Sequence, residues 1–320
     1  MSEYAILFPG QGSQSKHMLE SYQTNNLFSK CIDESSQILG YDIVETVQDE
    51  SKLNDTLYTQ PIMVATSIAI WNVWISQSSK MPVFAAGHSL GEYSALVANG
   101  TISLENCLKI VRERAKYMVD AMTDIDGGMA AVMSNNPELN LPNIVEKVCR
   151  ELSSENKYIQ PVNFNSKNQI VVAGHKTLIE TCESGFKAHG AKRVVVLPVS
   201  VAAHSSFMKP CSDKLYKLLN NIEFSLENRL FPVLHNVDAS IKDGKVDIIK
   251  SLCEQVCNPV LWEKTITKMF DENINNFLEI GPGKVLTRLN STILAGKDLT
   301  SSKSIDKLDF ISQVAEEYDD

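Results

Sequence analysis

Gly87-His88-Ser89-Leu90-Gly91 is a GxSxG pentapeptide between a short apolar run at 83–86 and a helix-like stretch closed by Gly100. Strand, sharp turn and helix in that order are what a nucleophile elbow requires. Ser89 would occupy a strained turn, with glycines on both flanks because a Cβ there would strike neighbouring backbone. Its hydroxyl would project over the amino end of the following helix. There the Leu90 N–H and the helix dipole can hold a developing oxyanion. A neutral serine hydroxyl is a weak nucleophile and needs a base. Among the six histidines, His88 adjoins the serine but points elsewhere on a sharp turn, and His17 opens a polar stretch. His175 and His189 belong to a separate run of strands and helices. His204, in VSVAAHSS, lies where the chain leaves that run, so it is the favoured base, with His235 near a strand end as the alternative.

A second loop, GQGSQ at 10–14, follows the apolar run at 4–8. It departs from the dinucleotide pattern GxGxxG at Ser15, and the chain has no GKS or GKT, so no nucleotide site is expected. Its exposed N–H groups could supply a second oxyanion donor, Gln11 above all. Arg112 and Arg114 sit two apart on the helix after the elbow and therefore face different sides. One can pair on the surface with Glu105 or Glu113. The other, if turned inward near the serine, would hold an anion bidentately, which suits a carboxylate-bearing acyl group.

The elements that must position these residues alternate along the chain. Strands are predicted at 4–8 and 83–86, helices at 27–39, 61–76 and from Ser103 to about residue 122. Gly127-Gly128 break the pattern. Strand 129–133, helix 142–152, strands 158–164 and 169–173, helix 177–189 and strand 193–199 then give β-α-β-β-α-β, the order of a ferredoxin-like unit. From Ser205 the alternation resumes, with helix 207–220, strand 232–236, helices 246–257 and 262–270, strand 277–280 and helix 285–294. The tail EEYDD reads as a solvated acidic end. The expected fold is α/β, a mostly parallel sheet built from both ends of the chain, at 1–127 and 205–320, interrupted by a small unit at 128–204.

Composition sets outer limits. The 320 residues carry 30 Lys+Arg against 39 Asp+Glu, a net charge of −9, which argues against nucleic acid as the partner. The 43 % hydrophobic content suits a globular core that needs no staple. Seven scattered cysteines without a CxxC pair fit neither a disulfide framework nor a zinc site, so no metal is expected. The amino terminus lacks a secretory pattern and no apolar run reaches membrane-span length, so a cytoplasmic protein is expected.

Taken together, these segments resemble the malonyl-CoA:acyl-carrier-protein transacylase family of fatty-acid synthesis. The resemblance runs end to end. It includes FPGQGSQ at 8–14, TQP at 59–61, GHSLGE at 87–92, RAKYM at 114–118, NFNS at 163–166, HSSFMKP at 204–210, NPVLW at 258–262 and EIGPGKVL at 279–286. It implies an α/β-hydrolase-like domain carrying a ferredoxin-like insert, with the active site between them. It also implies Ser89 as nucleophile, His204 as base, and the Gln11 and Leu90 N–H groups as oxyanion donors. Arg114 would bind the malonyl carboxylate, with Gln60 and Asn163 lining the pocket. A main-chain carbonyl at Gln255 would orient the histidine in place of the acid of a serine triad. The partners implied are a CoA thioester and acyl carrier protein, with no bound cofactor, and a monomer is expected.

Ala202 and Ala203 precede the histidine where the family often has Pro, Phe or Ser, which could widen the pocket toward methylmalonyl groups or a polyketide pathway. Because carrier protein is itself acidic, docking would need a local basic patch. The candidates are Lys187, Lys192, Arg193, Lys209, Lys284 and Arg288. A serine thioesterase or hydrolase built on the same elbow is the enzyme alternative, and a non-catalytic carrier-binding scaffold would be expected to have lost Ser89 or His204.

Overall fold

The computed structural model describes residues 3–136 and 138–319. Its larger sheet has six strands: β1 (Ala5–Phe8), β2 (Phe84–Gly87), β7 (Val233–His235), β8 (Ser240–Ile241), β9 (Asn276–Glu279) and β10 (Ser301–Ser304). They run in the spatial order β10-β9-β1-β2-β7-β8. Every pairing is parallel except β7 with β8. A strand covered on both faces must be apolar at every position. β1 meets that demand, since Ile6 and Phe8 enter one hydrophobic cluster while Ala5 and Leu7 enter another with Trp262 and Phe277.

Four further strands, β3 (Gly127–Met133), β4 (Ile159–Ser166), β5 (Gln169–His175) and β6 (Arg193–Val196), form an antiparallel sheet in the order β4-β5-β3-β6. This sheet packs on its own cluster around Val145, Val148, Ile170, Val172 and Phe186. The chain is thus a mixed α/β protein with a mostly parallel main sheet.

Differences from the sequence expectation have local causes. The helix expected from Pro61 runs instead over Thr56–Ile75, because Asp55 caps it by accepting the Leu57 N–H at 3.0 Å. That earlier start brings Thr56 and Gln60 onto the helix. The expected 177–189 helix is split at Cys182 into Lys176–Thr181 and Glu183–Ala188. Strand β6 stops at Val196, ahead of Pro198, which cannot donate to a ladder. β10, the sequence SSKS, carries no apolar alternation and escaped the reading. The tail is not a free acidic end. Ile311–Asp319 is a helix whose Tyr318 is buried against Tyr4 and Trp74, and only residue 320 of EEYDD lies outside the described residues.

Candidate active site

Three strands of the main sheet deliver their carboxyl ends to one place, the usual position for a site in an open α/β sheet. β1 empties into the Gly10–Gln14 loop, β2 into the elbow, and β7 into Asn236. At the elbow Ser89 has φ 52°, a left-handed conformation that is strained for a residue with a side chain. The glycines around it are obligatory. A Cβ on Gly87 would lie 1.8 Å from the Gly91 carbonyl carbon, and one on Gly91 would lie 2.0 Å from the Phe8 oxygen. The Gly91–Ala98 helix starts directly after Leu90. The strained turn is pinned by side-chain amides. Asn236 Oδ1 accepts the Ser89 N–H at 2.7 Å while its Nδ2 donates to the Gly87 oxygen at 2.7 Å.

Ser89 Oγ lies 2.7 Å from His204 Nε2, and His204 Nδ1 lies 2.6 Å from the main-chain oxygen of Gln255. That carbonyl fixes Nδ1 as the protonated nitrogen and leaves Nε2 free to accept from the serine. His204 is itself left-handed, φ 61°, and buried. Its pKa is pushed down to about 3, first by burial and then by the positive charge of Arg114, with the Gln255 carbonyl acting in the opposite direction. The imidazole is therefore neutral and able to take a proton. Among the described residues its Nδ1 partner is the Gln255 carbonyl rather than a carboxylate. His235, the alternative base, is engaged with Glu92 rather than with Ser89. It is 1 % exposed and its Nδ1 lies 2.7 Å from Glu92 Oε1.

Of the two arginines, Arg112 faces solvent and Arg114 turns inward, 1 % exposed. Arg114 Nη1 donates to Gln60 Oε1 at 2.7 Å, and Nη2 to Gln255 Oε1 at 3.1 Å and to Ser89 Oγ at 3.4 Å. Its Nε has no partner, and the guanidinium stands 5.5 Å over the Tyr93 ring. Its side-chain partners among the described residues are amides and a hydroxyl rather than a carboxylate. A buried guanidinium held this way is prepared for an anion arriving beside Ser89. Gln60 also donates to Thr56 Oγ1 at 2.9 Å, and Thr56 donates to Gln11 Oε1 at 3.1 Å. Arg114 and the Gly10–Gln14 loop are thereby joined through one chain of hydrogen bonds.

The other expected residues fall as follows. Leu90 immediately precedes the elbow helix, and Gln11 is exposed on its loop. Asn163 lies on β4, bridged to Val260, with its Oδ1 buried and unpartnered. His88 points away from the serine, 2.7 Å from Asn165 Oδ1 of the antiparallel sheet. Ala202 is fully buried, and a Cβ on Gly127 would come within 3.3 Å of its own, so its small size is matched by a close neighbour. Of the basic residues, Lys187 pairs with Glu183, Lys209 with Asp213 and Lys284 with Asp306. Lys192, Arg193 and Arg288 are exposed and have no ion pair among the described residues. The sequence reading missed Glu92, Asn236, Thr56 and the side chain of Gln255. For Glu92 one signal existed, a lone carboxylate in the otherwise apolar helix sequence GEYSALVA.

Fold and site together define an α/β chain with a serine–histidine pair at the carboxyl ends of a parallel sheet, beside a buried arginine. Comparison with known proteins narrows that class: the chain belongs to the acyl transferase domain family, which matches residues 6–308. A malonyl CoA-acyl carrier protein transacylase of Salmonella typhimurium is 41 % identical over 297 residues, covering 92 % of this chain and 94 % of that protein. One of the same name from Staphylococcus aureus is 37 % identical over 309 residues, covering 96 % and 97 %. Among solved structures, an acyl carrier protein S-malonyltransferase of Vibrio cholerae superposes with TM-score 0.89 at 36 % identity, covering 98 % of this chain and 100 % of that one. A malonyl-transacylase solved in complex with a type II polyketide acyl-carrier protein superposes with TM-score 0.91 at 38 % identity, covering 99 % and 100 %.

Proposed function

We propose that this protein moves the malonyl group from malonyl-CoA to the phosphopantetheine thiol of acyl carrier protein for fatty-acid synthesis. The observation that carries this is a single oxygen, Ser89 Oγ, 2.7 Å from a neutral histidine nitrogen and 3.4 Å from a buried guanidinium. The relatives' names support the same donor and acceptor.

Ser89 Oγ gives its proton to His204 Nε2 and attacks the thioester carbonyl. The N–H groups of Gln11 and Leu90 hold the oxyanion. Collapse breaks the C–S bond, and His204 returns the proton to the departing CoA sulfur, leaving malonyl-Ser89. The carrier thiol then gives its proton to His204, its sulfur attacks the ester, and Oγ leaves and takes the proton back. This is a ping-pong sequence. The Gln255 carbonyl holds Nδ1–H throughout. Arg114 and Gln60 hold the malonyl carboxylate, and Asn163 lines the pocket.

We read residues 128–204 as a ferredoxin-like insert in an α/β-hydrolase-like domain formed by 1–127 and 205–320, supported by the strand order β4-β5-β3-β6 and its separate core. Lys192, Arg193 and Arg288 are the remaining docking candidates for an acidic carrier. We also read the protein as a cytoplasmic monomer. Among the described residues no helix is long and apolar enough to cross a membrane. The test is transfer to purified holo carrier protein from malonyl-, methylmalonyl- and acetyl-CoA. Malonyl transfer is expected to dominate. Release of free malonate at the same rate with and without carrier would instead identify a hydrolase.

A further inference from the structure

Behind the elbow lies a carboxylate that the proposed chemistry does not use. Glu92 is 0 % exposed, in the first turn of the elbow helix. Its Oε1 lies 2.7 Å from His235 Nδ1, and its Oε2 accepts the Asn236 main-chain N–H at 3.0 Å and the Gln255 side-chain Nε2 at 2.9 Å. Burying a carboxylate is expensive unless it is hydrogen-bonded, and this one is fully engaged.

The two residues that Glu92 holds, Asn236 by its main-chain N–H and Gln255 by its side-chain amide, are those that hold the reacting groups. Asn236 carries the Ser89 N–H on its Oδ1. Gln255 Nε2 also donates to the Ser89 carbonyl at 2.9 Å, its Oε1 accepts from Arg114, and its main-chain oxygen accepts from His204. An amide side chain can point either way. With Glu92 and the Ser89 carbonyl on one side and Arg114 on the other, only one orientation of Gln255 satisfies every partner. One carboxylate thus bears on nucleophile, base and anion-binding arginine through two residues.

We propose that Glu92 is the positioning residue of this site, fixing Asn236 and Gln255 so that Ser89, His204 and Arg114 hold their mutual geometry without itself touching substrate. The role of Arg114 in this statement rests on the malonyl-transfer reading, whereas the reactivity of Ser89 does not.

The test measures the rate constant and the amplitude of Ser89 acylation in a single turnover, with malonyl-CoA and with acetyl-CoA, for Glu92→Ala and Glu92→Gln. Misplacement by about 1 Å is sufficient for a loss of about 100-fold, which is the expected drop in rate constant for Glu92→Ala with both donors. Glu92→Gln should recover part of it. A glutamine oxygen can still accept from Asn236 and Gln255 while its amide meets the other tautomer of His235. The malonyl-to-acetyl ratio should not exceed the wild-type value, because the Gln255 side chain that Glu92 orients is also a partner of Arg114. Labelling of Ser89 by a fluorophosphonate should slow in parallel, and this readout holds even if malonyl-CoA proves not to be the donor. Wild-type rate constants with reduced amplitude would mean that Glu92 serves folding alone and would overturn the proposal. So would a malonyl-to-acetyl ratio above the wild-type value, or fluorophosphonate labelling at the wild-type rate.

Discussion

Replacing Arg114 by Ala should separate malonyl from acetyl transfer. The guanidinium is 1 % exposed and its Nη2 bonds are its longest, 3.1 Å to Gln255 and 3.4 Å to Ser89 Oγ. Those are the bonds an incoming carboxylate would displace, and an acyl group on Oγ has its far end within their reach. Removing one member of a buried ion pair costs about 3–5 kcal/mol, because the other charge is left unpaired. At about 1.4 kcal/mol per tenfold, malonyl acylation of Ser89 should slow by about 100- to 4,000-fold. An acetyl group has no charge to lose, so its acylation should hold or rise as the unpaired guanidinium disappears. Single-turnover acylation followed by intact-protein mass spectrometry gives both rate constants. Equal losses for the two donors would refute the carboxylate clamp and reduce Arg114 to a support for Ser89 and Gln60.

Other perturbations follow from the same geometry. His204 is held at about 3, so its neutral form persists to low pH, and the acid limb of kcat/KM should lie well below the ordinary histidine range of about 6.5. Arg114→Ala should move that limb upward, because it removes the second-largest downward influence; an unmoved limb would show that another group sets it. The same depressed pKa costs stability on acidification. The native state must keep the ring neutral, so stability is full above the unfolded value of about 6.5 and is lost as pH falls toward 3. Thermal melts of His204→Asn should lose less on going from pH 7 to pH 4 than those of the wild type. Ser89→Gly should abolish the acyl-enzyme yet stabilise the fold by about 1 kcal/mol, because φ 52° strains only a residue with a Cβ; a destabilised glycine variant would argue against stored strain. Charge reversal at Lys192 and Arg193 should raise KM for carrier protein and flatten its salt dependence, leaving acylation by malonyl-CoA unchanged. Unaltered carrier KM would move the docking surface elsewhere.

The residues proposed to meet substrate were the legible ones. Ser89, His204 and Arg114 stand in short runs whose glycines, cationic spacing and strand–helix context each carry a physical reason, and the structure brings them within 3.4 Å of one oxygen. The scaffolding behind them was not legible. Glu92 and Asn236 act through contacts spanning more than a hundred positions of chain, which no local pattern reports. Glu92 left one local trace, as a lone carboxylate in the Gly91–Ala98 helix, which is buried nearly all round, but that trace does not tell which groups it holds. The main sheet was read from its apolar strands, while β10 was lost because an edge strand of serines and a lysine looks like loop. The amino end of the Thr56–Ile75 helix was lost because Pro61 looked like a start, although Asp55 supplied the stronger cap. That misplacement hid Thr56, and with it the link from Arg114 to Gln11.

The central claim is that the acyl group passes through Ser89. Incubation with malonyl-CoA alone, proteolysis and mass mapping test it directly. The proposed mechanism requires one malonyl adduct on the peptide carrying Ser89, absent in Ser89→Ala and discharged when holo carrier protein is added. An adduct on any other residue, or malonyl-carrier formed at the wild-type rate by Ser89→Ala, would contradict it.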